Sequence, residues 1–422
     1  MIIKMKHSIS KIVFSALALM LAASCENAEY KAGNNLLYFA DAVKGDKSSF
    51  VAVKPTAENI VIPVTVRLAQ KHDEPVTVRL KSVEANLEEY NKNTGSEFSF
   101  LPADKWPASE MSITIPAGEV KGTYEFSIPN FDMGENVYAL PFQFESLTQG
   151  DVPLSEAQGK FIYILRKPLV LDVPVFTGYG AEHAPGSYAY ALPGPPKRGE
   201  GDFIKENAWG IVTQDFSLEA WVWMSAYGIN NQAIFRSGTN SAFSGVNEQQ
   251  IFVRFGDAIT PYNYLQLKMF GSNAINTPKD LVPKKWYHWA FTFSSSDNVL
   301  RVYRNGDLLH TEQLKAQNEI HLDFLELIVS GSRYFQAECM MSQLRFWKTC
   351  RTAPEIKNNM YFPVNHKNPD LIASWTMNES IGEDEYGKPI LEDKTGNGHN
   401  IHTCNVFVRW EKGQLVSDVE EE

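Results

Sequence analysis

Cysteine is scarce, with four in 422 residues. A chain of this size does not lean on disulfides, and no Cys-x-x-Cys pair points to a metal or redox centre. Positive charge is in deficit too. Lys and Arg number 39 against 50 Asp and Glu, a formal balance of −11, which removes the basic footprint a nucleic-acid binder needs. No apolar run reaches the ~20 residues of a membrane-spanning helix. Walker loop, dinucleotide fingerprint and Gly-x-Ser-x-Gly elbow are all missing, as are heptads and fixed-period repeats. What is present in excess is aromatic: 25 Phe, 17 Tyr and 9 Trp, in a composition that suits two or three folded domains.

Residues 1–24 read as an export signal. Lys4, Lys6 and Lys11 lead into Ile12–Ala23, an apolar run of 12 residues, which suits a signal-peptide core better than a span. The run ends Leu21-Ala22-Ala23-Ser24-Cys25. This resembles the lipobox of bacterial lipoproteins, with Ala22 where Leu is commoner. The resemblance implies that Cys25 is the first mature residue and carries the lipid, so that acyl chains alone hold the body at the membrane. Glu26 and Glu29 resemble the acidic surface-export signals that follow such a Cys. Without the leader the balance is 36 − 50 = −14, and Cys339, Cys350 and Cys404 remain. Cys339 and Cys350 could bridge.

Nearly everything after Tyr30 reads as short strands. Val64, Val66 and Leu68 alternate with polar residues, as do Val76, Val78 and Leu80. Seven such segments in the first part form a β-sandwich pattern. Residues 166–210 are rich in Pro and Gly and mark the break. Beyond it Phe216–Met224, Trp286–Phe293 and Val299–Arg304 are strand-like. Asn305-Gly306 signals a type I′ hairpin, and Pro354 opens a short helix. The chain is therefore expected to be all-β. A lipidated Cys and linker (25–34) lead to a small immunoglobulin-like β-sandwich (35–167). A larger jelly-roll sandwich (168–412) and an acidic tail (413–422) follow.

The larger region resembles the laminin-G-like, concanavalin-like jelly-roll family. Four pieces carry the likeness: Phe216-Ser-Leu-Glu-Ala-Trp-Val-Trp; Trp286-Tyr-His-Trp-Ala-Phe-Thr-Phe with Val302-Tyr-Arg-Asn-Gly306; Met341-Ser-Gln-Leu-Arg-Phe-Trp; and Leu371-Ile-Ala-Ser-Trp with Asp393-Lys-Thr-Gly-Asn-Gly398. The smaller region resembles a β-sandwich domain common in Bacteroides-type surface lipoproteins, through Glu89-Tyr-Asn91, Phe100-Leu-Pro102, Ile115-Pro-Ala-Gly118 and Tyr138-Ala-Leu-Pro141. Together these imply an outer-membrane, cell-surface lipoprotein of a polysaccharide- or glycoprotein-utilisation system. The implied partners are an oligo- or polysaccharide and other outer-membrane glycan-uptake proteins. In this scheme the small domain holds the jelly roll away from the anchor.

Catalysis finds little support. Glycosidases need a pair of carboxylates, and the Glu-x-Asp-x-x-Glu-like strand pattern of related jelly-roll enzymes is missing. Glu383-Asp384-Glu385 reads as a solvated turn and Glu219 as structural. Asp393 and Asn397 could offer oxygen ligands to calcium, or form an Asx-type turn that needs no ion. No cofactor is otherwise implied, and no metal ligand set is defined. Sugar binding asks for aromatic platforms beside a few polar groups. Loop-borne aromatics are the candidates: Tyr188, Trp209, Tyr227, Tyr262, Tyr264 and Tyr334. Trp221, Trp289, Phe291, Trp347 and Trp375 alternate in strands and read as core, while Trp106 is a loop aromatic of the first domain. A non-catalytic glycan-binding lipoprotein is the first reading. A protein-binding adhesion or scaffold lipoprotein and a divergent glycoside hydrolase are the alternatives.

Overall fold

The computed structural model describes residues 35–417 except 45–46, 55, 107–110, 135, 178–188, 192–207, 240–250, 271, 317–318, 331–333, 385–386 and 404–406. The leader, Cys25, Tyr188, Cys404 and the chain end from 418 lie outside the described residues.

The smaller domain packs two sheets around one apolar core. A three-stranded sheet orders Leu37–Phe39, Asn59–Leu68 and Lys121–Pro129. It faces a sheet built from Ser48–Ala52, Lys160–Arg166, Tyr138–Gln149, Val76–Ser82 and Ser112–Ile115, with Ser99–Phe100 paired alongside. Strand alternation sends Ile60, Ile62, Val64, Val66 and Leu68 inward, and the residues between them face away from that core. Trp106 belongs to this core. It stacks on Phe100, meets Phe126 and Phe142 edge-on, and donates its indole N–H to Leu101 O at 2.9 Å. One helix, α1 (Glu84–Thr94), ends at Gly95 in the left-handed region.

The jelly roll has two eight-stranded sheets. Sheet I runs Asp307–Gln313, Val299–Arg304, Trp286–Ser294, Phe216–Met224, Glu338–Trp347, Val170–Thr177 and Phe407–Leu415, with Leu371–Trp375 also paired to Glu338–Trp347. Sheet II includes Leu265–Met269, Ile251–Phe255, Gln232–Gly238 and Phe324–Leu327. The last strand of sheet I reaches Leu415, so the jelly roll extends into what composition alone marked as tail; Val170–Thr177 supplies its ladder partner. Asn305 and Gly306 both have positive φ, as a type I′ hairpin requires. A second helix, α2 (Ala353–Asn359), starts from a Thr352/Glu355 capping box with Pro354 in its first turn, the arrangement that satisfies orphan N–H groups.

A third apolar cluster joins the two domains. Leu87, Phe98, Ile162 and Ile164 of the small domain pack with Trp221, Trp286, Met340 and Phe362 of the jelly roll. The small domain is therefore fastened to the outer face of sheet I.

Candidate functional site

Along Phe216–Met224 every second residue enters the jelly-roll core, which leaves Ser217, Glu219, Trp221 and Trp223 on the outer face. Glu219 sits there without solvent contact. Arg345 lies directly across the ladder from it. The Glu219 carboxylate accepts from the Trp347 indole at 2.8 Å and stands 3.8 Å from both the Arg345 and Arg351 guanidiniums. Burial alone would raise its pKa, but the two arginines, His288 and the indole outweigh that and hold it below the usual carboxylate range. His288 lies 3.6 Å from the same carboxylate. Burial, with the two guanidiniums, pushes its pKa down to about 4, so the ring is neutral at pH 7.

Arg345 also clamps the segment that follows α2. Its guanidinium donates to Asn359 O at 3.0 Å and Phe362 O at 2.5 Å, and Trp221 donates to Met360 O at 2.7 Å. That segment is the hinge of the interface. Phe362 meets Phe50 and Phe98 of the small domain, and Arg166 lies over the Tyr361 ring at 4.2 Å. Asn358 donates to the Tyr90 hydroxyl at 2.7 Å, and Asn365 to Glu97 at 3.2 Å.

Beside this contact the domains part and leave a cleft of about 970 Å³. Phe98, Tyr361, Phe362 and Trp347 lie among its lining residues, but each is itself buried in the packing between or within the domains. Polar groups converge from both domains, and three amides keep one end free. Asn368 Oδ1 accepts from Asp370 N at 2.9 Å and Asn378 Oδ1 from Thr376 Oγ1 at 2.6 Å, so both present an NH₂ group with no partner among the described residues. Asn136 donates to the Tyr138 hydroxyl at 3.4 Å and leaves its carbonyl oxygen free among them. Side chains held at one end and open at the other lose little freedom on meeting a ligand. Gln343 lines the cleft from a strand bulge with φ of 51°, and Met377, between the lining residues Thr376 and Asn378, has φ of 58°. Such backbone costs energy without glycine and concentrates at ligand clamps. Glu97 is the one carboxylate among the described lining residues.

The expected aromatic set is placed otherwise, and no described member of it lines the cleft. Tyr227 is buried edge-on against Phe255, and Tyr264 is buried with its hydroxyl accepting from Asp257 N at 2.9 Å. Neither offers a ring face to a sugar. Tyr262 is half-buried, packed against Gly256 in the same loop region. Trp209 is wedged between Phe346 and His399, its ring 4.4 Å from the imidazole. Tyr334 is half-buried beside the core residue Phe335. Of the strand aromatics, Trp289, Phe291 and Trp375 lie in the jelly-roll core, whereas Trp221 belongs to the interdomain cluster and Trp347 to a small cluster with Val364 and Leu371. Cys339 and Cys350 are both free thiols. The Asp393 carboxylate accepts from the N–H groups of Ser374, Thr395 and His399 and from the Thr395 hydroxyl. Asn397 donates to Ile372 O. A carboxylate ringed by donors organises a turn and does not suit a cation. Among the described residues no group of three His, Cys, Asp or Glu side chains is placed to hold a metal.

Eight of the lining residues, from Tyr361 to Asn368, sit in the irregular stretch between α2 and the strand at Leu371. Its sequence signal was its polar make-up: Asn365, His366, Lys367 and Asn368, with two residues between them and Tyr361 and Phe362.

Residues 198–357 match the family model of the concanavalin A-like lectin/glucanases superfamily, and residues 32–151 match a model for an N-terminal domain. A candidate carbohydrate-binding protein from Bacteroides ovatus is similar over 91% of this chain and 100% of its own, at 19% identity and a TM-score of 0.46. A SAP-like pentraxin from Limulus polyphemus is similar over 58% of this chain and 97% of its own, at 15% identity and a TM-score of 0.37. EndoBT-3987 of Bacteroides thetaiotamicron, solved with a Man5GlcNAc product, shares 21% identity over 31% of this chain and 30% of its own, at a TM-score of 0.25. A search of curated proteins finds no significant match.

Proposed function

We propose that this chain, whose larger domain is a lectin-like jelly roll, is a non-catalytic carbohydrate-binding lipoprotein that takes its ligand in the cleft between its two sandwiches. One observation carries the reading: free amide groups of Asn136, Asn368 and Asn378 converge in one cleft of about 970 Å³. Sugars present hydroxyls to such amides, and a site of this size accommodates a short oligosaccharide. A single carboxylate in the described lining does not supply the acid–nucleophile or acid–base pair of glycoside hydrolysis. Lipidation at Cys25 and display at the outer-membrane surface complete the proposal; they rest on the lipobox-like Leu21–Cys25 and the leader before it.

The test is a glycan array followed by affinity electrophoresis, using the soluble protein from residue 26 onward. Asn368→Ala and Asn378→Ala each weaken binding of the selected glycan about tenfold, the consequence of losing a buried ligand hydrogen bond. Tyr262→Ala leaves it unchanged. Loss with Tyr262→Ala and none with the Asn variants would move the site to the loop end of the jelly roll.

A further inference from the structure

The cleft differs in charge from the molecule around it. The whole chain carries −11. The described cleft lining holds Lys167, Arg351 and Lys367 against Glu97 alone, which is 3 − 1 = +2. Behind it Glu219 stands 3.8 Å from both Arg345 and Arg351, and because Arg345 adds its own positive charge to that layer the excess is not cancelled. Among the described residues Lys167 has one carboxylate nearby, the exposed Asp132 at 3.7 Å, and it donates to Gly134 O at 3.4 Å.

The cations are also placed for use. Arg351 is 6% exposed and lies over the Trp347 ring at 4.2 Å. It donates through Nη2 to Glu355 O at 3.3 Å, and its Nη1 has no hydrogen-bond partner among the described residues. Lys367 is exposed and forms no ion pair among them, while Asn365 Oδ1 accepts from its backbone N–H at 3.0 Å and fixes the turn that carries it. A guanidinium positioned over an indole, in a partly desolvated cleft, suits a planar or trigonal oxyanion better than a neutral hydroxyl.

We infer that the cleft selects glycans that bear an anionic group, a carboxylate or a sulfate ester, with Arg351 and Lys367 as its counter-ions. This rests on the reading of the cleft as the carbohydrate site and narrows its ligand class. The free amides then read the neighbouring hydroxyls. The rest of the negative surface disfavours non-specific capture of polyanions, so that selection falls to the cleft.

The experiment uses an array carrying neutral, uronate-bearing, sialylated and sulfated oligosaccharides, with each acidic hit repeated after chemical removal of its charge: carboxyl reduction for acids, desulfation for sulfates. Binding to acidic members that is lost on charge removal supports the inference, and the two treatments separate carboxylate from sulfate. Lys367→Glu then weakens binding at least about tenfold, while Lys367→Arg retains it. Lys367 is exposed, so folding is not at stake, and coincident thermal unfolding of variant and parent confirms that. Equal binding of neutral glycans, sensitive to Asn378→Ala but not to Lys367→Glu, overturns the inference and leaves the cleft as the site. No binding of any glycan overturns both.

Discussion

At the scale of single residues, Glu219 and His288 carry the sharpest consequence. Both side chains are wholly buried, and the imidazole is the neutral partner among charges. Its folded pKa of about 4 lies below the ordinary 6.5, so in that interval the unfolded chain binds a proton that the folded chain does not. Unfolding free energy then falls as pH drops from about 6.5 toward about 4, by up to about 1.4 kcal/mol per pH unit. Glu219, held low by the arginines, loses its own contribution only in more acidic solution, as pH falls through its folded pKa. Urea unfolding at stepped pH checks the point: His288→Gln flattens the slope between those limits. An unchanged slope would mean that the histidine is charged in the folded protein. His366, His399 and His402 are shifted the same way, by burial first, so the difference between parent and variant is the informative quantity.

At the scale of elements, the junction of α1 and α2 shows how closely the domains fit. Gly95 ends α1 with φ of 59°, and a Cβ there would stand 2.8 Å from the Glu355 Oε1. Glu355 is the acid of the capping box at the start of α2, accepting from Thr352 N at 2.7 Å. Gly95→Ala therefore meets left-handed strain and displaces a cap from the other domain. The expected loss is about 1–3 kcal/mol, shrinking in a Glu355→Ala background because the clash is then gone. Denaturant midpoints of the four proteins provide the cycle, and strict additivity would contradict the contact. The same region shows where sequence reading stops. Strands announced themselves by alternation, as in Val76–Ser82, and the hairpin by Asn305-Gly306. Helix α1 was not expected as a helix, since only Leu87 and Thr94 of its residues are buried and no apolar stripe forms. Trp221 was read as core from its strand position. That reading had the burial right, but alternation along one strand does not say which cover lies over the outward face.

At the scale of the whole molecule, the cover is the other domain. Trp221, Trp286, Met340 and Phe362 pack with Leu87, Phe98 and Ile164, so the outer face of sheet I never meets solvent there and the two sandwiches are joined by a shared core. The cleft exists because both domains contribute walls to it, Asn136 from one and Asn368 and Asn378 from the other. This is why the site was hidden in the sequence. Its residues are scattered from Gly95 to Asn378 over strands, a helix end and turns, and only the docking of the domains brings them together. The loop aromatics drew attention because rings outside strands tend to be exposed; Tyr227 and Tyr264 are instead folded back against the jelly roll. The most direct test of the account is a crystal structure of the protein with an oligosaccharide chosen from the array. The account predicts sugar density between the two domains, hydrogen-bonded to the free amides of Asn368 and Asn378 with an acidic group toward Arg351 and Lys367. Density on the outer face of sheet II or around Tyr262, with the cleft holding only solvent, would contradict it.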